Sequence, residues 1–232
     1  MIPIHTFDMP RFLASTALFS ALTTDELQRM AGACQIKRIL KDDMIFRVGE
    51  PCDACYLIVD GEVKLFVASA AGQEKVIEIA SAGQSFGEGM MFLEDPHILS
   101  AQALTDVLLV TVSKQGIFHE IAQDPRFSMH MLAGISRRLH SLIQDVEGYA
   151  LRNGMQRLIG FLLRDVEQHP DTGNTRKVTL PASKATIASR LSLTPEYFSR
   201  VLHELEFNQL IQIDKRDIHI ADVQRLGNYG TT

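Results

Sequence analysis

Apolar and polar positions change rhythm three times along the chain, and each rhythm predicts a different kind of element. LTTDELQRMAGAC places Thr23 or Thr24 ahead of an apolar stripe with Glu26 in its first turn, the layout of a short capped amphipathic helix. Short β-rich runs follow: MIFRV, CYLIV, VKLFVA, KVIEIA and LLVTV. Gly49, Gly61, Gly72 and Gly83 punctuate them, and VKLFVA and KVIEIA alternate as half-buried strands do. Short strands at regular spacing with turn signals predict an all-β barrel or roll over residues 35–113.

The rhythm then becomes helical. Leu132, Ile135, Leu139, Leu142, Val146 and Tyr149 recur at spacings of 3, 4, 3, 4 and 3, with Arg137, Arg138, Gln144, Asp145 and Glu147 around them. A helix packed on its own domain is one reading. A two-per-seven stripe is narrower than a core-facing helix needs, so the pattern predicts a parallel dimerisation helix. Asn153-Gly154 breaks it, and MQRLIGFLLRDVEQH reads as a further helix. The polar loop HPDTGNTRK, the strand VTLP and SKATIASRLSLTPEYFSRVLHELEFNQL follow. The expected units are 1–123 (N-terminal helix plus β-roll), 124–153 (dimerisation helix) and 154–232.

Ser183 to Leu210 has the layout of a helix-turn-helix: a helix around Ala185 to Arg190, a turn at Leu191 to Leu193, then a second helix. Thr194 stands at the N-cap, Pro195 at the first helical position and Glu196 in the first turn. Ala188 is small where two helices must cross closely. LIQID and DIHIAD around Lys215-Arg216 predict a β wing. Within the second helix Phe198, Val201, Leu202 and Leu205 form the apolar face, while Glu196, Ser199 and Arg200 share another. Glu196 and Arg200, four residues apart, would by themselves suit a solvated ion pair. At the N-terminal end of a recognition helix the same groups suit base edges: Arg pairs bidentately with guanine, Glu accepts from an amino group, and Ser serves either role.

Charge sharpens this picture modestly. The net charge is −5, but from Arg176 onward eight Lys/Arg face six Asp/Glu, leaving an acidic remainder. That split permits a local DNA-facing module on an acidic body. No apolar run approaches a membrane span and no signal-peptide pattern opens the chain, so a cytoplasmic protein without membrane association is expected. Cys34, Cys52 and Cys55 are too few for a disulfide scaffold.

β-roll, dimer helix and winged helix-turn-helix, in that order, resemble the family of the cyclic AMP receptor protein and the fumarate-nitrate-reduction regulator, the Crp/Fnr family. The fold class this implies is α+β: a cyclic-nucleotide-binding-type jelly roll, a dimerisation helix and a DNA-binding domain. Glu196, Ser199 and Arg200 are similar to the E-x-x-S-R pattern of the branch that reads TTGAT half-sites as an inverted repeat. With Thr194 and Tyr197 they make the expected DNA-binding set. Ser192 departs from the glycine common in such turns. The resemblance implies a homodimer on palindromic double-stranded DNA, with RNA polymerase as a further partner.

It also implies an effector. GQSFGEGMMFLEDPHILSAQA, Gly83 to Ala103, corresponds to the phosphate-binding cassette of cyclic-nucleotide members. Gly87, Glu88 and Ser100 are present, but Leu99 stands where those members carry arginine, which removes the bidentate phosphate partner. Cyclic AMP bound in the usual manner is therefore not expected. Nor is an iron–sulfur cluster, which generally needs four thiolates. The same stretch resembles denitrification-type regulators that respond to nitric oxide through haem. Haem needs an axial His or Met, and His97 and His140 are the candidates; Met90 and Met91 are candidate pocket residues, and the metal ligand set stays open. A small anion or nucleotide is the alternative effector, and a nucleotide-sensing module without DNA contact the alternative function. No nucleophile–base pair, Walker loop or HExxH motif points to an enzyme.

Overall fold

The computed structural model describes residues 7–69, 72–168 and 174–229. It divides into two compact units, one up to Ile143 and one from Gln144.

In the first unit, helices α1 (Met9–Ser15) and α2 (Thr24–Ala31) precede strands β1 (Cys34–Ile39), β2 (Met44–Phe46), β3 (Ala54–Asp60), β4 (Val63–Ala68), β5 (Glu74–Ala80) and β6 (Ser85–Phe86). Helix α3 (Glu88–Leu93), β7 (Ser100–Ala103), β8 (Val107–Ser113) and α4 (Lys114–Gln123) follow, then the long α5 (Pro125–Leu151), whose residues from Gln144 belong to the second unit. The strands form two four-stranded antiparallel sheets, ordered β1-β8-β3-β6 and β2-β7-β4-β5. Phe46, Ile58, Val63, Leu65, Phe86 and Leu109, drawn from both sheets, make the roll interior. The other face of the first sheet, through Cys55, Leu57, Val110 and Val112, packs on Leu13, Phe19, Leu27, Met30, Ile117, Phe127 and Met131 from the helices. Strand β3 is therefore buried on both faces, which explains why CYLIV reads as an unbroken apolar run. Each such side chain contributes roughly 1.5–3 kcal/mol on burial. The spaced glycines sit in turns at positive φ; at Gly61 a Cβ would also lie 2.4 Å from the Asp106 carbonyl.

Thr23 caps α2 through a capping box with Glu26. Burial raises the Glu26 pKa, but bonds from the Thr23 backbone and hydroxyl and from His130 outweigh it and hold the carboxyl below its usual value. His130 lies on α5, 3.0 Å from Glu26, so the start of α5 is tied to α2. Gly134 reinforces this: a Cβ there would lie 2.1 Å from the Leu18 carbonyl. Arg137 donates to Ser20 Oγ at 3.0 Å nearby.

The six seam residues are not equally exposed in the single chain. Ile135 is half-buried and packs on the sensor core beside Phe127 and Met131. Leu132, Leu139, Leu142 and Val146 are 54%, 57%, 39% and 64% exposed, joined by Ile143 at 50%. The exposed stripe thus begins on the outer side of α5 and broadens after Leu139. The Tyr149 side chain lies outside the described residues.

In the second unit α6 (Gly154–Gln168) leads to β9 (Arg176–Thr179), α7 (Lys184–Arg190), α8 (Pro195–Phe207), β10 (Ile211–Asp214), β11 (Asp217–Ile220) and α9 (Val223–Asn228). The strands form one antiparallel sheet, β10-β11-β9. Asn153 and Gln156 exchange side-chain-to-backbone bonds at 2.9 Å and so cap α6. Ala188 is fully buried where α7 and α8 meet. Among the described residues no helix is long and apolar enough to cross a membrane.

Candidate nucleic-acid interface and effector region

The second unit builds its exposed face from the turn between α7 and α8. Ser183 caps α7 by accepting from the Thr186 N–H at 3.1 Å. The turn closes through Leu193 N–H donating to the Ala188 carbonyl at 2.9 Å, with Ser192 at φ +55°. Serine adopts the left-handed conformation that glycine adopts in many such turns, at some cost in strain. Thr194 Oγ1 accepts from the Tyr197 N–H at 3.2 Å, which starts α8 and contributes about 1 kcal/mol.

From that start the face of α8 follows. Phe198, Val201, Leu202 and Leu205 are buried, which rotates Glu196 and Arg200 into solvent and leaves Ser199 half-exposed. Arg200 does not close an ion pair with Glu196: its guanidinium lies over the Tyr197 ring, 4.8 Å from the centroid. Both charges remain available to an external partner. Tyr197 is half-buried, its ring turned toward Gly154 and Leu193. These residues, with Arg157 and Ser192, line an open cleft of about 580 Å³. Behind α8, Glu206 accepts from the Ile213 N–H at 3.0 Å and ties the helix to β10. At the wing tip Arg216 donates to the Leu180 and Pro181 carbonyls, while Lys215, at φ +55°, is exposed.

Of the seven residues expected at an effector pocket, Met90, Met91 and His140 stand apart, while Gly87 and His97 both border the Phe46–Tyr56 aromatic cluster. Gly87 caps α3 at φ +87° against the Tyr56 ring, and Glu88 is buried next to Ser85, whose hydroxyl reaches Glu88 Oε1 at 3.4 Å. Ser100 Oγ accepts from the Val48 N–H at 3.0 Å. Met91 is fully buried in the helix-covered core and Met90 packs on it, so both belong to packing rather than to a pocket wall. His140 is exposed on α5. Leu99 is partly buried and packs on the roll interior.

His97 is different. It is 3% exposed and stacks on Phe46 with ring centroids 3.6 Å apart and planes within 7°. Phe46 in turn meets Tyr56 and Phe86, whose own rings stack 5.1 Å apart. Burial lowers the His97 pKa against the opposing pull of Glu50 and Asp53, and its Nε2 is buried without a hydrogen-bond partner. Burial likewise pushes the Tyr56 phenol up to about 12. No sequence signal announces this stack, because His97 is brought to Phe46 by long-range backbone bonds, its N–H donating to the Glu50 carbonyl and its carbonyl accepting from the Gly49 N–H, beside the pairing of β2 with β7.

Cys52 and Cys55 are buried in the helix-covered core, and Cys34, half-buried, packs against it. Cys34 and Cys55 both stand opposite Val112 on the two strands flanking β8, roughly two strand spacings or 9–10 Å apart. That exceeds the span a disulfide bridges. Burial raises all three thiols, Cys34 to about 12 and Cys55 well above its usual value. Among the described residues no group of three or more His, Cys, Asp or Glu could hold a metal ion. A thiol reagent such as Ellman's at pH 8 is expected to label none of the three until urea unfolds the chain; rapid native labelling would contradict the burial described.

Residues 36–124 match the cyclic nucleotide-binding domain, and residues 156–229 match the Crp-like helix-turn-helix domain. The CRP-like cAMP-activated global transcriptional regulator of Mycobacterium tuberculosis is 23% identical over 219 residues, covering 94% of this chain and 98% of that protein. The crystal structure of DNR from Pseudomonas aeruginosa is 31% identical, covers 97% of each chain and superposes with a TM-score of 0.54. FixK2 from Bradyrhizobium japonicum, 23% identical over 84% of this chain and 96% of that one, superposes with a TM-score of 0.72 and supports the fold.

Proposed function

The chain belongs to the Crp/Fnr family of ligand-responsive, DNA-binding transcription regulators, and from that premise we propose that it reads an inverted repeat of TTGAT half-sites as a homodimer. Like its relatives it is a regulator and not an enzyme. The observation that carries the reading is the solvent-facing group Glu196, Ser199 and Arg200 on a helix held by its Thr194 cap and its buried apolar side. Arg200 pairs with the guanine, Glu196 accepts from a base amino group and Ser199 supports either. The exposed stripe on α5 joins two chains, and a two-fold axis sets the recognition helices about 34 Å apart, one turn of the duplex. RNA polymerase is the partner through which the bound dimer acts on transcription.

The effector we propose is nitric oxide, received through haem. What supports this reading is His97, a buried imidazole whose Nε2 has no hydrogen-bond partner and which the β-roll would have to open to present. The α5 location of His140 supplies an exposed alternative. Haem, when bound, supplies an iron centre for the gas. The chain's own part is to hold that imidazole against Phe46 and to pass a change in the β-roll to α5, whose two arrangements bias the DNA-binding units. Leu99, in place of arginine, weighs against the rival cyclic nucleotide.

An anaerobic haem titration of the reduced protein tests this reading. One equivalent per chain, with a Soret band that shifts on adding nitric oxide and weakens in His97→Ala, is expected. A band that does not saturate, or none, would overturn haem and favour a small anion, while the DNA-reading claim would stand.

A further inference from the structure

The first residue of α6 and the recognition helix touch through one aromatic ring. A Cβ built on Gly154 would lie 2.6 Å from Tyr197 Cε1 and 2.9 Å from Leu193 Cδ2. The Tyr197 ring therefore occupies the space that any side chain at 154 would need. The guanidinium of Arg200, the next residue but two along α8, sits 4.8 Å from the same ring's centroid. Gly154, Tyr197 and Arg200 thus form a continuous stack running from the break between α5 and α6 to a base-reading group. The φ of Gly154 lies outside the left-handed region, so its lack of a side chain serves this approach and not a turn.

We propose that Tyr197 is a positioning residue rather than a base reader: it aims the Arg200 guanidinium and links that aim to the α5–α6 break at Gly154. Long arginine side chains lose rotamer freedom when they are fixed, and a ring beneath the guanidinium pre-orders it through cation–π attraction. With the stack in place, a guanine meets a pre-aimed fork. A shift of the α6 N-terminus against α8 moves the ring and with it the fork. The wedge gives the effector's conformational change a route to base discrimination itself, apart from the spacing of the two recognition helices. The inference rests on the reading of Arg200 as the guanine contact.

Fluorescence anisotropy of the full-length protein, haem-loaded and unloaded, tests it on a TTGAT inverted repeat and on the same duplex with each half-site guanine replaced. Tyr197→Phe, which keeps the ring, is expected to match the wild type. Tyr197→Leu is expected to lower selectivity for the guanine about fivefold, with binding to scrambled DNA, its salt slope and the melting temperature unchanged. Gly154→Ala is expected to do the same, because the methyl displaces the ring, and the double variant to be no worse than Tyr197→Leu alone. Unchanged selectivity in Tyr197→Leu, or an additive loss in the double variant, overturns the proposal. Arg200→Ala separates the two claims: if it alone loses guanine selectivity, the base reading stands and the positioning role falls. If it keeps that selectivity, the reading on which the proposal rests has failed.

Discussion

Replacing Arg200 by alanine is expected to weaken binding to the inverted repeat by about 1–3 kcal/mol, roughly 5- to 150-fold per half-site, and to relax preference at the guanine. The expectation follows from where the side chain stands. Arg200 is exposed on the polar face of α8 and holds no carboxylate of its own chain among the described contacts. Its removal leaves the buried side of the helix untouched, so the melting temperature should not move. A phosphate-contacting arginine would behave otherwise, weakening all duplexes alike and reducing the salt dependence by about one ion. Competition between the repeat and a guanine-replaced duplex distinguishes the two: an equal loss on both contradicts the base-reading role.

The larger effect is expected at the dimer seam. Leu139 and Leu142 are 57% and 39% exposed in the single chain, and their joint replacement by aspartate places four carboxylates across a two-fold interface. About half of each of the four leucines is still exposed in the single chain, so losing its burial costs roughly 3–6 kcal/mol, and the dimer dissociation constant should rise by about two to four orders of magnitude. Sedimentation velocity should then find a monomer at micromolar concentration, with the helix content of the folded chain preserved. Specific DNA binding should fall with it, since one recognition helix reaches one half-site. A variant that remains dimeric would move the interface elsewhere. Leu132→Asp alone should do less, because α5 is still docked on its own sensor unit near that level, through Ile135 and Gly134.

Local chemistry made much of this architecture legible in the sequence. Thr194-Pro195-Glu196 names a helix start at three consecutive positions, and the structure begins α8 there. Thr23 and Glu26 do the same for α2. Five of the β runs stand out because their faces are buried. Weaker local signals belong to β1, an edge strand written CQIKRI with half its side chains in water, to β6, only two residues long, and to β7, SAQA, small residues packed between β2 and β4. The short helices α1, α3, α4 and α9 carry equally little periodicity of their own.

Long-range contacts were out of reach for a different reason. The heptad pattern counts Ile135 with Leu139, because period alone does not say where a helix leaves the domain it starts on. Met91 and His97 lie six residues apart in one loop-rich stretch, yet one fills the helix-covered core and the other stacks on Phe46. Tyr197 has helical spacing suited to the reading face, but its ring turns to a glycine more than forty residues earlier. In each case the deciding partner is distant in sequence.

The central claim is sequence-specific reading by a dimer, and the most direct measurement is equilibrium binding to two duplexes of equal length, one carrying the TTGAT inverted repeat and one scrambled. Titrations with and without haem and nitric oxide, at several salt concentrations, should give two chains per specific duplex and a preference of about a thousandfold or more in the competent state. Equal affinities for both duplexes in every state, with the same salt slope, would mean that the protein grips phosphates without reading bases, and would contradict the account.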